Sequence, residues 1–178
     1  MQVLVTRRLT LRPPTALDAE DIALWLNDWQ VARMLSRVPV PYAPQDAETW
    51  IAGHRPQDMH FTIHRERLAG GVSMEIDGTE GRLGYWLGEP WHGHGFMTEA
   101  AHAVIAYAFA TRGLTAVRSS AYVDNRASQR VQEKLGFVVT GYAQEWSISR
   151  NAMVDTLTKR LTAEAFAAAC SPRTCAAA

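Results

Sequence analysis

Apolar and polar residues alternate over residues 3–6 and again over 9–12, the period-two pattern of half-buried strands. Pro13-Pro14 ends the second run. The pattern then becomes helical. Asp18 stands where an N-cap belongs, and Ile22, Leu24, Trp25 and Leu26 give an apolar side to a helix reaching Asn27. A second helical stretch is predicted over 30–36. Pro39, Pro41 and Pro44 break it with an irregular, partly extended loop, and a third helix over 45–54 carries Trp50 and Ile51 on one face. Residues 61–64 and 68–76 read as a hairpin turning at 65–67, and Asp77-Gly78 is a turn signal before a strand at 82–87. A turn over 88–95, rich in Gly, Pro and His, precedes a long Ala-rich helix over 96–111, stopped by Gly113. A strand at 116–123, a helix at 127–135 closed by Gly136, and strands at 137–146 and 152–161 complete the pattern.

Antiparallel hairpins therefore flank a central strand–turn–helix–strand–helix–strand run. That order specifies a mixed α/β domain of the α+β kind, not a doubly wound parallel sheet. The chain of 178 residues is enough for one sizeable core. One domain over 1–168 is expected, with residues 169–178 a frayed tail that offers little to pack. Its composition, 47% hydrophobic and 20% charged, is that of an ordinary globular protein. Eighteen basic and 18 acidic residues cancel, which argues against sequence-independent nucleic-acid or anionic-membrane binding. Cys170 and Cys175 both fall in the tail, where they cannot staple a core, so two free thiols are expected. There is no bilayer-spanning apolar run and no signal-peptide pattern, so a cytoplasmic location is expected by default.

The candidate chemistry begins at Trp91-His92-Gly93-His94-Gly95-Phe96-Met97-Thr98-Glu99. Glycine lets a backbone approach an anion closely, and a helix start leaves N–H groups unpartnered with a favourable dipole. A strand, a Gly-x-Gly turn and a helix thus make a diphosphate seat, although a bare Gly-x-Gly is also an ordinary tight turn. No Lys-Ser or Lys-Thr follows the glycines, and Thr98 stands where a dinucleotide motif has its third glycine, which argues against an ATPase and against a classical NAD-binding unit. His92, His94 and His102 lack a metal-ligand spacing, and no metal site is expected. Glu99 sits in a first helical turn, where the dipole alone accounts for it. Arg130 and Lys134, one turn apart, fit a solvated face better than a phosphate site.

A second segment makes the pattern specific. Asp124-Asn125-Arg126-Ala127-Ser128 leads into Glu133-Lys134-Leu135-Gly136-Phe137; with Leu83-Gly84-Tyr85-Trp86-Leu87 and the Gly93-x-Gly95 turn, it resembles the GNAT superfamily of N-acetyltransferases. The opening Arg8-Leu9-Thr10-Leu11-Arg12 and the closing Val154-Asp155-Thr156-Leu157 are similar to the Rim-type branch, whose named members acetylate ribosomal-protein N-termini. The resemblance spans residues 9–166. It implies a twisted, mostly antiparallel sheet with a V-shaped splay between two central parallel strands, here 82–87 and 116–123. It implies acetyl-CoA as co-substrate, its pantetheine arm paired with the main chain of Tyr85, Trp86 and Leu87. Its diphosphate would then lie on Gly93, His94, Gly95, Phe96, Met97 and Thr98. It places Asn125 and Ser128 beside the pantetheine and sulfur; helix capping by Asn125 and a plain polar first turn at Ser128 explain the same residues. Where many members carry an acidic Tyr, seven residues after the Asn, this chain has Gln132, which cannot donate a proton usefully. That leaves Ser128 to hydrogen-bond or protonate the sulfur, with Tyr142 the weaker alternative.

Acyl transfer to an amine needs a neutral amine, a stabilised oxyanion and a departing thiolate. A strand N–H near Trp86 or Leu87 is the expected oxyanion donor. Glu75 is the expected general base: period two sets Gly71, Ser73 and Glu75 on one strand face and Val72, Met74 and Ile76 on the other, though a solvated carboxylate is the plainer reading. Trp25, Trp29 and Trp50 lie in the variable helices that cap the acceptor site in this family; they either line a substrate pocket or pack the helices, and packing is the expectation. No residue suggests a covalent acyl-enzyme, so direct attack in a ternary complex is expected. The acceptor stays open between a protein N-terminus and a small amine, as does a homodimer. A non-catalytic acyl-CoA sensor on the same fold and a nucleotide-binding module are the rival readings.

Overall fold

The computed structural model describes residues 2–169. Residues 170–178, with Cys170 and Cys175, lie outside the described residues. The predicted strands form as β1 (Leu4–Val5), β2 (Thr10–Arg12), β3 (Met59–His64), β4 (Leu68–Asp77), β5 (Glu80–Leu87), β6 (Ala116–Tyr122), β7 (Val138–Ser147) and β8 (Ala152–Thr162). They make one sheet in the order β1-β2-β3-β4-β5-β6-β8-β7. Every neighbouring pair is antiparallel except β5 with β6, which is parallel.

The helices are α1 (Ala19–Leu26), α2 (Trp29–Ala32), α3 (Pro44–Ala52), α4 (Phe96–Arg112), α5 (Arg126–Lys134) and α6 (Ala163–Ala169). The second is shorter than its sequence pattern predicts. Asp28 caps it by accepting Gln30 N–H at 2.8 Å. Met34 and Leu35 then donate to carbonyls three residues back, Val31 and Ala32, so the chain tightens out of the α-helix. Helix α6 was not foreseen. Its anchor is the buried Phe166, whose ring lies 4.9 Å from His102 and 5.7 Å from Phe109 on α4. No helix among the described residues is long and apolar enough to cross a membrane.

Strand alternation sets the layers. Phe61, Ile63, Val72, Met74 and Leu83 bury one sheet face against Ala100, Val104, Ile105 and Ala108 of α4. Ile22, Ala23 and Leu26 of α1, with Val31 and Ala47, cover the other face. Small alanines on α4 let the helix lie close to the sheet, and fully buried Val104 and Ile105 fill the gap; truncating Ile105 to Ala costs about 2–4 kcal/mol. Val72 and Met74 face α4 as predicted, which turns Gly71, Ser73 and Glu75 to the α1–α3 side.

Candidate active site

The parallel ladder between β5 and β6 is three residue pairs long: Glu80–Ala116, Gly81–Val117 and Arg82–Arg118. Beyond it the strands part. A polar wedge fills the fork. Ser119 Oγ donates to Leu83 O at 3.0 Å, and the fully buried Gln132 donates from Nε2 to Ser119 Oγ at 3.0 Å and to Ser120 O at 3.3 Å. These side chains satisfy backbone groups that would otherwise be stranded where the ladder stops. Position 132, polar where the sequence pattern suggested an acid, is therefore part of the frame of the cleft.

The ladder geometry decides which backbone groups face the opening. Gly88 N–H donates to Ala69 O at 2.9 Å, so Gly70 and Leu87 form a non-hydrogen-bonded pair and the next pair, Gly71 and Trp86, is hydrogen-bonded. The N–H and C=O groups of Leu83, Tyr85 and Leu87 thus point toward β6, and those of Trp86 toward β4. Trp86 lines the cleft, but its main chain is committed to the sheet, unlike the expectation for it. Leu87 O is taken by His92 Nε2 at 2.8 Å, which accounts for His92 without a metal or a phosphate. The main-chain groups left for a guest are those of Tyr85 and the N–H of Leu87.

The cleft measures about 380 Å³. Tyr85, Trp86 and Leu87 form one wall, and Asn125, Ser128 and Arg130 the other. Gly93, Gly95, Phe96, Met97 and Thr98 close one end. Gly93 and Gly95 have φ of 80° and 76°, a left-handed conformation that only glycine adopts cheaply. Gly95 is the N-cap of α4 and offers no side chain, so the first-turn N–H groups of Phe96, Met97 and Thr98 have no cap of their own. Glu99 N–H opens the regular ladder by donating to Gly95 O at 3.1 Å. Unsatisfied N–H groups at a helix start favour negative charge, so this end of the cleft could hold an anionic group.

His94 does not line the cleft. Its carbonyl is held from behind by Arg8 Nη1 at 3.0 Å, and Arg8 is aimed by Glu99, which takes Arg8 Nε at 2.7 Å, Arg8 N–H at 2.9 Å and Thr6 Oγ1 at 2.6 Å. Burial raises the Glu99 pKa, but Thr6 and Arg8 outweigh it and hold the carboxyl below its ordinary value. Sequence alone assigned Glu99 to the helix dipole. The clamp was hidden because Thr6 and Arg8 are about 90 residues away and reach it only through the β1–β2 hairpin.

On the far wall Asn125 caps α5, its Oδ1 accepting Ser128 N–H at 3.0 Å, and both residues line the cleft. Ser128 Oγ lies 2.8 Å from Tyr85 OH, and Tyr85 OH also lies 3.2 Å from Ser128 O. Burial pushes the Tyr85 phenol up to about 12 against its hydrogen bonds with Ser128 and Gln132. The Tyr85 side chain, read from sequence only for its backbone, is thus the nearest partner of Ser128. Tyr142 is 80% exposed on β7 and does not line the cleft.

Glu75 lies on the predicted sheet face but is not brought to the cleft. It accepts Arg37 Nη2 at 2.6 Å and pairs with Arg82 across β4–β5. Burial raises its pKa, yet the two guanidiniums prevail and hold it below the ordinary value, which makes it a poor proton acceptor. No Asp or Glu is among the residues lining the cleft. Two carboxylates bond to cleft-lining residues from outside: Asp28 accepts Gln30 N–H at 2.8 Å, and Glu145 accepts the Ser120 hydroxyl at 3.2 Å.

Gln30, Val31 and Met34 line the end opposite the glycines. The β7–β8 turn docks there: Ile148 N–H donates to Ser36 O at 3.0 Å, Ser149 Oγ to Ala32 O at 2.9 Å, and Arg150 Nε to Arg33 O at 2.5 Å. Arg150 also grips Asp124, the neighbour of Asn125, at 2.8 Å.

Residues 8–138 match the family model described as the acetyltransferase (GNAT) domain. The chain is similar over 165 residues, at 28% identity, to the SPbeta prophage-derived uncharacterized N-acetyltransferase YokL of Bacillus subtilis, covering 89% of this chain and 92% of that one. It is 31% identical over 80 residues to the ribosomal protein uS5-alanine N-acetyltransferase of Escherichia coli, 45% of this chain and 41% of that one. Mycobacterium smegmatis RimJ, solved in complex with CoA-disulfide, superposes with a TM-score of 0.77 at 20% identity over 88% of this chain and 82% of that one.

Proposed function

This chain belongs to the GNAT acetyltransferases, and from that premise we propose that it moves an acetyl group from acetyl-CoA to a primary amine by direct attack, with an α-amine as the preferred acceptor. The observation that carries the reading is the three-pair β5–β6 ladder that opens over a Gly93–Gly95 anion seat. The residues present fit the co-substrate. The seat takes its diphosphate, and the unpaired main chain of Tyr85 and Leu87 supplies the edge along which an extended amide-bearing arm pairs as an added strand. The thioester end then lies toward Ser128 and the Gln30–Met34 end.

The chain's own groups divide the work. The N–H groups of Tyr85 and Leu87 are the β5 donors left unpaired; one of them would meet the oxyanion, and one such donor is worth about 3 kcal/mol. Asn125 fixes the first turn of α5 and thereby the Ser128 hydroxyl, which meets the departing sulfur. The amine must arrive unprotonated, and no carboxylate in the lining strips it or holds its cation. An α-amine of pKa about 8 is neutral in roughly one molecule in four at pH 7.5, whereas an ε-amine of pKa about 10.4 is neutral in about one in a thousand. Without a built base, that difference of more than a hundredfold falls directly on the rate. Glu75, committed to Arg37 and Arg82, takes no part in the proton transfer.

The test is a thiol-release assay over acceptors of one peptide sequence: free N-terminus with blocked lysine, blocked N-terminus with free lysine, and a polyamine. The α-amine peptide should lead by at least tenfold. Equal or faster turnover of the ε-amine peptide would reject the acceptor assignment, and no turnover of any amine while CoA still binds would leave a sensor. Glu75→Gln should leave the pH profile of kcat unaltered; loss of its acidic limb would restore Glu75 as base.

A further inference from the structure

Ser128 is a weak partner for a departing thiolate unless its hydrogen is directed. A serine hydroxyl rotates freely, and in a helical first turn it tends to turn back onto the backbone. Here a second hydroxyl sits 2.8 Å from Ser128 Oγ, on the opposite wall of the same cleft. Two arrangements are open to the pair. In one, Tyr85 donates to Ser128 O at 3.2 Å and Ser128 donates to Tyr85. In the other, Tyr85 donates to Ser128 Oγ, and the serine hydrogen is released to point elsewhere. The two differ only by rotation of two hydroxyl hydrogens, so a negative charge beside Ser128 selects the second.

The geometry points to Tyr85 as a positioning residue for the leaving-group end of this site: its phenol donates to Ser128 Oγ and turns the Ser128 hydrogen toward the thiolate of coenzyme A. This rests on the acetyl-CoA reading above. The phenol itself is held in place. The Tyr85 backbone lies in β5 opposite Val72 of β4, and Ser128 is pinned from beneath by Asn125. With its pKa near 12, the phenol keeps its proton; surrendering it to a thiolate of pKa about 8.5 would run uphill by more than three powers of ten. Tyr85 therefore acts as a donor and not as an acid. In the transfer the C–S bond breaks, the C–N bond forms, and the proton lost by nitrogen ends on sulfur through solvent in the cleft. Tyr85 and Ser128 finish with the hydrogens they began with.

The readout is the acidity of the bound thiol, followed by the ultraviolet absorbance of the thiolate in the binary complex with CoA. Arg130, Lys134 and His92 also line the cleft, and they are common to every variant compared, so differences isolate the hydroxyl pair. Tyr85→Phe should make the bound thiol about tenfold less acidic, and Ser128→Ala should do the same. Tyr85→Phe added to Ser128→Ala should change nothing further, because the phenol acts only through the serine. In turnover, Tyr85→Phe should lower kcat about tenfold with KM for acetyl-CoA within twofold. An unchanged thiol acidity in Tyr85→Phe, or additive losses in the double variant, would overturn the assignment with the acetyl-CoA reading intact. Failure of the wild-type chain to bind CoA would remove both. Should Tyr85→Phe not fold, incorporation of a fluorinated, more acidic tyrosine carries the test: the bound thiol should become more acidic, and no change would refute the role.

Discussion

Gly93→Ala separates the backbone cost of the glycine turn from its use as an anion seat. Gly93 has φ of 80°, and a Cβ built there meets nothing within 4 Å. Gly113, which closes α4 far from the cleft, has φ of 63° and is equally open. Neither substitution clashes with the protein, so each costs only the left-handed conformation, about 1–2 kcal/mol, less about 0.5 kcal/mol regained from a stiffer unfolded chain. A net loss near 1 kcal/mol lowers Tm by about 2–4 °C in a chain of this size. Both variants should therefore melt alike. They should part in the assay. At Gly93 the methyl stands where main-chain N–H groups meet phosphate oxygens, and disturbing one charge-assisted bond is worth about 1.5–3 kcal/mol, or roughly 10- to 100-fold in KM for acetyl-CoA. Gly113→Ala should keep its KM within twofold of wild type. If Gly93→Ala melts like Gly113→Ala and also matches its KM, the turn is a plain connector and the diphosphate lies elsewhere.

Two further outcomes follow from contacts around the site. Glu99→Gln should raise KM for acetyl-CoA severalfold and leave acetyl-pantetheine untouched, because Arg8 would lose the partner that aims it at His94 O behind the diphosphate seat; an equal effect on both donors would show that Glu99 supports the whole helix. His54 and His60 stack with centroids 3.6 Å apart. Burial, then the neighbouring His54, lowers the His60 pKa from 6.5 to about 4. The unfolded chain thus binds that proton first, and stability falls as pH drops through the window between those values, by about 1–2 kcal/mol from pH 7 to 4.5 once solvent screening is allowed for. Urea unfolding across that range, compared with His60→Gln, measures it; parallel slopes in the two chains would show that His60 is not the titrating group.

The strands and the long helix were legible because alternation and alanine content are local signals: Val72, Met74 and Glu75 fell on the predicted faces. Helix α2 was overrun because its apolar period continues past the point where Ala32 and Val31 carbonyls take tighter bonds. The uncapped start of α4 was readable from two glycines ahead of a helix. The partner of Ser128 was not, since Tyr85 lies 43 residues earlier and its phenol crosses a gap that exists only where the ladder ends. Glu75 misled for a related reason. Its strand face was right, but Arg37 arrives from a loop whose path no periodicity records.

The docking of the β7–β8 turn onto α2 has a steric corollary. The two leaves of the sheet are joined at the fork by the short ladder and again at the opposite rim by Ile148, Ser149 and Arg150. The cleft is thus tied across at both extremities, and a guest that pries one apart works against the other.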